Sequence, residues 1–207
     1  SNASSERIAI LRALGAHLHL SDGLEGTDGA IRLARQLAAD EPDKYWYANQ
    51  YDNPANWRAH YSSTGPEVLA QTRAGITHFV AGIGTSGTLM GTGRYLHEVA
   101  PTVQVIGFEP DSGFHGLEGL KHLPTAIQPG IYDGQVADRS MRIGTEEAHV
   151  MVRRLAREEG LFVGISAGAA AVAALRIAEN LDNGIVVTVF PDAGYKYLSD
   201  ISLWSEE

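Results

Sequence analysis

Thr77-His78-Phe79-Val80-Ala81, followed by Gly82-Ile83-Gly84-Thr85-Ser86-Gly87 and then by Thr88 to Val99, is the stretch that decides the fold. The first part is a short apolar run followed by glycine, which reads as a strand. The second matches the pattern G-x-G-x-x-G, and the third reads as a helix. In a strand, glycine loop and helix in that order, the glycines let backbone approach an anion. The first turn of the helix supplies N–H donors and the positive end of its dipole. Thr85, Ser86 and Thr88 add hydroxyls around the loop. Many donors suit a terminal phosphate monoester, a dianion, better than a pyrophosphate. Gly84, Thr85, Ser86, Gly87 and Thr88 are therefore the candidate phosphate residues.

Val103 to Phe108 reads as the next strand, and Glu109 stands at its end, 22 residues after Gly87. A strand, the glycine pattern, a helix and a later acid also make up a dinucleotide-binding fingerprint, so an NAD-binding Rossmann domain is a rival reading. Further out, apolar strands keep alternating with helices, which implies parallel α/β architecture. Helices are expected over 5–15, 29–39, after Gly65 with Pro66 at the first position, 145–160 from a capping Thr145, and 166–181. Strands are expected over 16–20, 45–51, 161–165 and 184–190, with a turn at Asp52 to Asn56. Residues 110–140 are rich in glycine and proline and show no trusted period.

The chain has 207 residues, 44% hydrophobic and 20% charged, an ordinary globular composition. A net charge of -9 argues against nucleic acid or an anionic membrane as partner, and no apolar run approaches the roughly 20 residues that span a bilayer. There is no cysteine, hence no disulfide framework. Ser1-Asn2-Ala3 does not start a signal peptide, because no basic and then long apolar region follows. Gly164-Ile165-Ser166-Ala167-Gly168 matches the nucleophile elbow G-x-S-x-G, but that hydrolase order needs a later histidine, and the last one is His149. Ser166 is also expected to cap the helix it begins. His17 and His19 share a strand face, but without cysteine or a nearby carboxylate they make a poor metal pair, and no metal is expected.

Asn53-Pro54-Ala55-Asn56, Thr64-Gly65-Pro66-Glu67, Gly84-Thr85-Ser86-Gly87-Thr88, Gly164-Ile165-Ser166-Ala167-Gly168 and Pro191-Asp192-Ala193-Gly194-Tyr195-Lys196-Tyr197-Leu198-Ser199 occur in that order. The series resembles the cysteine synthases, fold type II pyridoxal-phosphate enzymes that include cystathionine β-synthase, over essentially the whole chain. The resemblance implies a three-layer α/β fold around a parallel sheet, truncated at the N-terminus. Residues 1–62 would be the remnant of a smaller N-terminal domain and residues 63–207 the large cofactor domain. The implied cofactor is pyridoxal 5′-phosphate, with Gly84 to Thr88 as its phosphate cradle and the Ser166 hydroxyl on its pyridine nitrogen. Gln50 would help to hold the substrate carboxylate. A serine partner leaves that nitrogen essentially unprotonated and the ring a weaker electron sink, which favours rapid β-elimination.

The implied reaction is replacement of the β-substituent of an activated serine, O-acetylserine or O-phosphoserine, by a sulfur donor to give L-cysteine. The implied protein is a cytoplasmic homodimer; cystathionine β-synthase-like activity is the alternative within the family. Residues 119–133 (GLKHLPTAIQPGIYD) resemble the B-type and phosphoserine-using synthases more than the A-type. Lys121 falls where the phosphoserine users carry an arginine; lysine meets a phosphate as a point charge, not as a bidentate fork. In the family a lysine near the N-terminus forms the Schiff base, and a Thr/Ser-Gly-Asn loop binds the substrate carboxylate. Neither motif is found here, and Lys44, Lys121 and Lys196 stand in other contexts. The expectation is a chain with no catalytic residue of its own, inactive alone. A remnant that only dimerises or binds a partner is the non-enzymatic rival. The Rossmann rival leaves Ser166 and the Pro191 to Gly194 block unexplained.

Overall fold

The computed structural model describes residues 3–205; Ser1 and Asn2, read above as no part of a signal peptide, lie outside the described residues. The chain divides into two compact units, Ser1–Asn49 with Gly194–Glu207, and Gln50–Ala193.

The second unit holds the sheet. Its strands are β1 (His78–Gly82), β2 (Gln104–Pro110), β3 (Arg139–Ile143) and β4 (Val186–Thr188), all parallel, in the order β3-β2-β1-β4. Its helices are α3 (Ala55–Ser62), α4 (Thr64–Gln71), α5 (Gly87–Val99), α6 (Thr145–Glu158) and α7 (Ile165–Ala178). Side chains alternate along a strand, so each buried strand must be apolar on both faces. Phe79, Ala81 and Val105 pack with Leu89, Met90 and Leu96 of α5 in one core cluster. Val80 and Ile106, between them in register, are fully buried and face the other way. The α3, α4 and α5 helices pack together, as do α6 and α7, while α5 and α7 both meet the sheet. The α7 helix is buried almost all round from Ile165 to Ala173, which its alanines allow. Gly168 gives α6 room to approach: a Cβ there would overlap the Ala148 carbonyl and lie 2.5 Å from Val152 Cγ2.

In the first unit, α1 (Ser5–Ala13) starts at Ser4, whose hydroxyl accepts the Arg7 N–H. Here α2 spans Gly26–Asp40 and α8 Ile201–Trp204. The α1 helix is fixed to the C-terminal block. Ser4 Oγ donates to the Lys196 carbonyl at 2.7 Å, Arg7 donates to the Tyr197 hydroxyl at 2.7 Å, and the Ser199 N–H donates to Glu6 at 2.6 Å. The Ser199 hydroxyl also donates to Glu6, at 2.7 Å, and is the leading cause that lowers the Glu6 pKa.

The parallel sheet and all six expected helices are present, with α3 in addition; several details differ. Residues 16–20 and 45–51 form no strand, since a strand needs a neighbour for its ladder and none lies beside them among the described residues. Residues 161–165 make only one antiparallel bridge, Val163 with Ala193. The β3 strand was not expected. It is an edge strand with Arg139 and Arg142, and such charge hides a strand from an apolar pattern while protecting the edge from pairing. Pro66 is the third residue of α4, not the first. Thr145 does not cap α6. The cap is Gly144, whose N–H donates to Glu147 at 2.6 Å, while the Thr145 hydroxyl accepts the Gly116 N–H.

Candidate functional site

From β1 the sheet grows to β2 and β3 on one side and to β4 on the other. Such a reversal of strand order opens a crevice at the carboxyl ends of the strands, where open α/β sheets bind ligands. Two helix starts meet that edge. The loop 83–86 leaves the carboxyl end of β1 and enters α5. The start of α7 is tied to the chain just beyond β4, because the Gly164 N–H donates to the Asp192 carbonyl at 3.0 Å and Val163 bridges Ala193.

The loop is shaped around free donors. Among the described residues the N–H groups of Gly84, Thr85, Ser86 and Thr88 donate to nothing. Ser86 stands in left-handed backbone, φ +71°, which is uncommon for a residue with a Cβ and costs of order 1–3 kcal/mol. The residue is 1% exposed, and its buried hydroxyl has no partner among the described residues. A buried unsatisfied hydroxyl is expensive, so the loop as it stands is incomplete without an acceptor. The Thr92 hydroxyl is also buried without a partner, but it lies about 9 Å further along α5 from Ser86 at 1.5 Å per residue.

Neighbouring chain holds the loop from behind. The Lys121 N–H donates to the Ile83 carbonyl at 2.8 Å, and a Cβ at Gly84 would overlap the Gly119 carbonyl. Gly119, at φ +87°, is in the region that favours glycine. Gly84 is thus glycine because protein backbone presses on it. From α3, Asn56 Nδ2 donates to Thr85 Oγ1 at 3.1 Å and to the Gln50 carbonyl at 2.7 Å. Thr85 Oγ1 also accepts the Gly87 N–H at 3.3 Å. A hydroxyl has two lone pairs and one proton, so Thr85 has both acceptor sites filled and its proton left to give. His60, one turn beyond Asn56, reaches Thr64 Oγ1 with Nδ1 at 2.9 Å and Thr88 Oγ1 with Nε2 at 3.4 Å. Burial holds the His60 imidazole below its ordinary pKa.

Ser166 is the second residue of α7 and is 7% exposed. It does not cap the helix: the cap position is Gly164, and the Ser166 hydroxyl bonds nothing among the described residues. Gln50 is exposed, tethered by its backbone to Asn56, with its side chain unbonded. Lys121 is 4% exposed, its Nζ 5.1 Å from the centre of the Tyr51 ring. Glu109, the acid of the dinucleotide reading, instead accepts the Leu123 N–H at 2.8 Å and lies 3.8 Å from Arg142. It therefore anchors the 119–123 segment. His17 and His19 are exposed, and no cluster of acids and histidines among the described residues has a metal-binding arrangement.

The carboxyl edge thus carries a cradle of N–H and O–H donors and, at the neighbouring helix start, one further hydroxyl, that of the largely buried Ser166. Such a set can hold a tetrahedral anion at one end of a ligand and bond a polar atom elsewhere on it. His60 and Asn56 escaped notice as site residues because both act through threonines. The usable signal was their spacing of four on one helix face, matched by Gly87 and Gly91 on another.

The family described as "Pyridoxal-phosphate dependent enzyme" matches residues 1–192. The cysteine synthase of Aquifex aeolicus is 52% identical over 203 residues, which are 96% of this chain and 62% of that protein. Cysteine synthase B of Pseudomonas aeruginosa is 43% identical over 198 residues, 96% of this chain and 65% of that one. The crystal structure of the cysteine synthase of Entamoeba histolytica superposes with a TM-score of 0.87 at 33% identity, covering 100% of this chain and 64% of that one. The chain spans under two thirds of the length of these relatives. A match over nearly the whole chain, on a fold whose open donors lie at the carboxyl edge, makes this chain a member of the pyridoxal-phosphate dependent enzyme family.

Proposed function

We propose that this chain is the phosphate- and ring-binding part of an enzyme that uses pyridoxal 5′-phosphate to make L-cysteine from an activated serine and a sulfur donor. The observation that carries the reading is the Ser86 hydroxyl, fully buried and unpartnered inside a loop of unbonded N–H groups. The residues fit the cofactor. Gly84, Thr85, Ser86, Gly87 and Thr88 hold the phosphate, Ser166 meets the pyridine nitrogen, and Gln50 contributes to the substrate carboxylate. When bound, the cofactor supplies an electron sink for cleavage at the serine β-carbon. The protein residues fix the phosphate and keep the ring nitrogen on a neutral hydroxyl. Residues 1–62 belong to a smaller domain and 63–207 to the large one, in a cytoplasmic homodimer. No helix among the described residues is long and apolar enough to cross a membrane.

The activated serine is O-acetylserine or O-phosphoserine. Lys121, buried behind the loop, decides between them if its replacement by methionine changes the ratio of the two rates in the parent enzyme. Catalysis needs a lysine to anchor the cofactor and move the proton. Lys44 is paired with Glu41 at the surface, the Lys121 ammonium is buried beside the Tyr51 ring, and Lys196 belongs to the C-terminal block. The chain alone is therefore proposed to be inactive, with no lysine labelled stoichiometrically by pyridoxal phosphate and borohydride.

Equilibrium dialysis of the chain against pyridoxal 5′-phosphate and against pyridoxal tests the reading. Tighter binding of the phosphorylated form, lost in Ser86→Val, is the expected result. Equal binding of the two forms would remove the phosphate site and the function built on it. In a parent enzyme, Ser166→Asp should hold the ring nitrogen protonated and slow β-elimination; an unchanged rate would release Ser166 from this role.

A further inference from the structure

The α3 and α5 helices meet through a bare face. Gly87 and Gly91 are four apart on α5, and Asn56 and His60 are four apart on α3, so each pair shares one side of its helix. A Cβ at Gly87 would overlap Asn56 Oδ1, and one at Gly91 would overlap the Trp57 carbonyl and lie 2.6 Å from His60 Cβ. With no side chain in the way, the two polar groups of α3 reach the two threonines of the loop. Asn56 meets Thr85 and His60 meets Thr88.

These contacts fix where the Thr85 proton goes and tie the Thr88 proton to the His60 tautomer. Asn56 Nδ2 can only donate, so Thr85 must accept and its proton stays available. For Thr88 the outcome depends on the ring. A neutral imidazole has one N–H and one lone pair. If Nε2 carries the proton, Thr64 donates to Nδ1, Nε2–H donates to Thr88, and the Thr88 proton is free for an anion. If Nδ1 carries it, Thr88 must donate to Nε2 and would turn its lone pairs toward the anion. The hydroxyls of Thr64 and Thr88 have no other partner among the described residues, so nothing else directs them. Burial of His60 disfavours its cation and keeps this choice between neutral forms in play.

We propose that His60 is a positioning residue of the phosphate cradle: held by Thr64 as the Nε2–H tautomer, it donates to Thr88 Oγ1 and directs the Thr88 proton at the bound phosphate. This rests on the loop being a phosphate site. The 3.4 Å contact to Thr88 is long in the free chain. An anion that draws on the Thr88 proton makes its oxygen a better acceptor, so binding should strengthen the contact.

The test uses the whole chain with inorganic phosphate. Two-bond nitrogen–proton NMR of ¹⁵N-histidine chain at about pH 8 reads the tautomer, since the ordinary imidazole pKa is about 6.5. Titration reads the affinity of wild type, His60→Gln, His60→Asn and Thr64→Val. The amide of glutamine reaches the place of Nε2 and that of asparagine the place of Nδ1. The expected result is a pure Nε2–H tautomer under saturating phosphate, with His60→Gln close to wild type. His60→Asn should lose roughly tenfold in affinity, the scale of one hydrogen bond to a charged acceptor. Thr64→Val should show mixed tautomers. An Nδ1–H ring in the phosphate-bound chain, or equal affinity for the glutamine and asparagine variants, overturns the role of His60 and leaves the cradle standing. Absence of phosphate binding in wild type overturns the cradle itself and this role with it.

Discussion

The turn into α5 and the turn into α7 lie at the same edge of the sheet, both are glycine-rich, and both bring a buried serine to a helix start, Ser86 at 1% and Ser166 at 7% exposure. Around Ser86, four loop N–H groups are unbonded, and two threonines are contacted from α3, one by Asn56 and one by His60. Around Ser166 there is one hydroxyl and, among the described residues, no supporting polar side chain bonded to it. The first arrangement concentrates donors and suits a dianion, which needs many charge-assisted bonds to replace its water. The second offers one neutral bond, enough to orient a ring atom and too little to hold a charge. Similar local sequence, glycine-x-serine in a helix start, therefore supports two different chemistries, and the difference comes from what stands behind each turn.

Gly87→Val attacks the first turn at its tightest point. It should cost about 1–3 kcal/mol of stability through overpacking and weaken phosphate binding by about 100-fold or more, since several charge-assisted bonds shift together. Gly168→Val overpacks α7 against α6 and should cost a similar amount of stability while the folded chain keeps wild-type phosphate affinity. Urea denaturation and phosphate titration of both variants measure this. Equal loss of phosphate affinity in the two would mean that the turns do not differ as described. Thr85→Val removes one prepared donor and should weaken phosphate by roughly tenfold.

Ser166→Ala sharpens the comparison from the other side. Pyridoxal phosphate should bind roughly two- to tenfold more weakly, the scale of a neutral hydrogen bond, and inorganic phosphate unchanged. A matching loss for inorganic phosphate would place Ser166 in the cradle instead. The smallest effect is on pH. Burial is the leading cause that holds His60, His78 and His115 below the ordinary imidazole pKa. A lowered folded value means that the unfolded chain binds protons first as pH falls. Their stabilising contribution is complete above about pH 6.5 and is lost as pH falls through the lowered values. Denaturation midpoints followed by pH should decline below that point, and His60→Gln should decline less.

Where the sequence was legible, one element carried its own signal. The run Phe79 to Ala81, the glycines after it and the alanines of α7 are local patterns, and each became the expected strand, turn or helix. The failures depended on partners. Residues 16–20 have the alternation of a strand and no neighbour to pair with among the described residues, while β3 lacks the alternation and pairs with β2 all the same. Thr85, Ser86 and Thr88 could be read from their place in the loop. Asn56 and His60 offered only their spacing of four, because their roles arise from the contact of α3 with α5, which no single-helix pattern encodes.

Amide NMR of ¹⁵N-labelled chain during titration with inorganic phosphate tests the central claim, that Gly84 to Thr88 is an anion cradle built from unbonded donors. The account predicts large, saturable and concerted shifts of the Gly84, Thr85, Ser86 and Thr88 N–H signals, with the Ser166 signal nearly still. Loop signals that stay in place while others move, or that do not move up to crowding concentrations of phosphate, would contradict it.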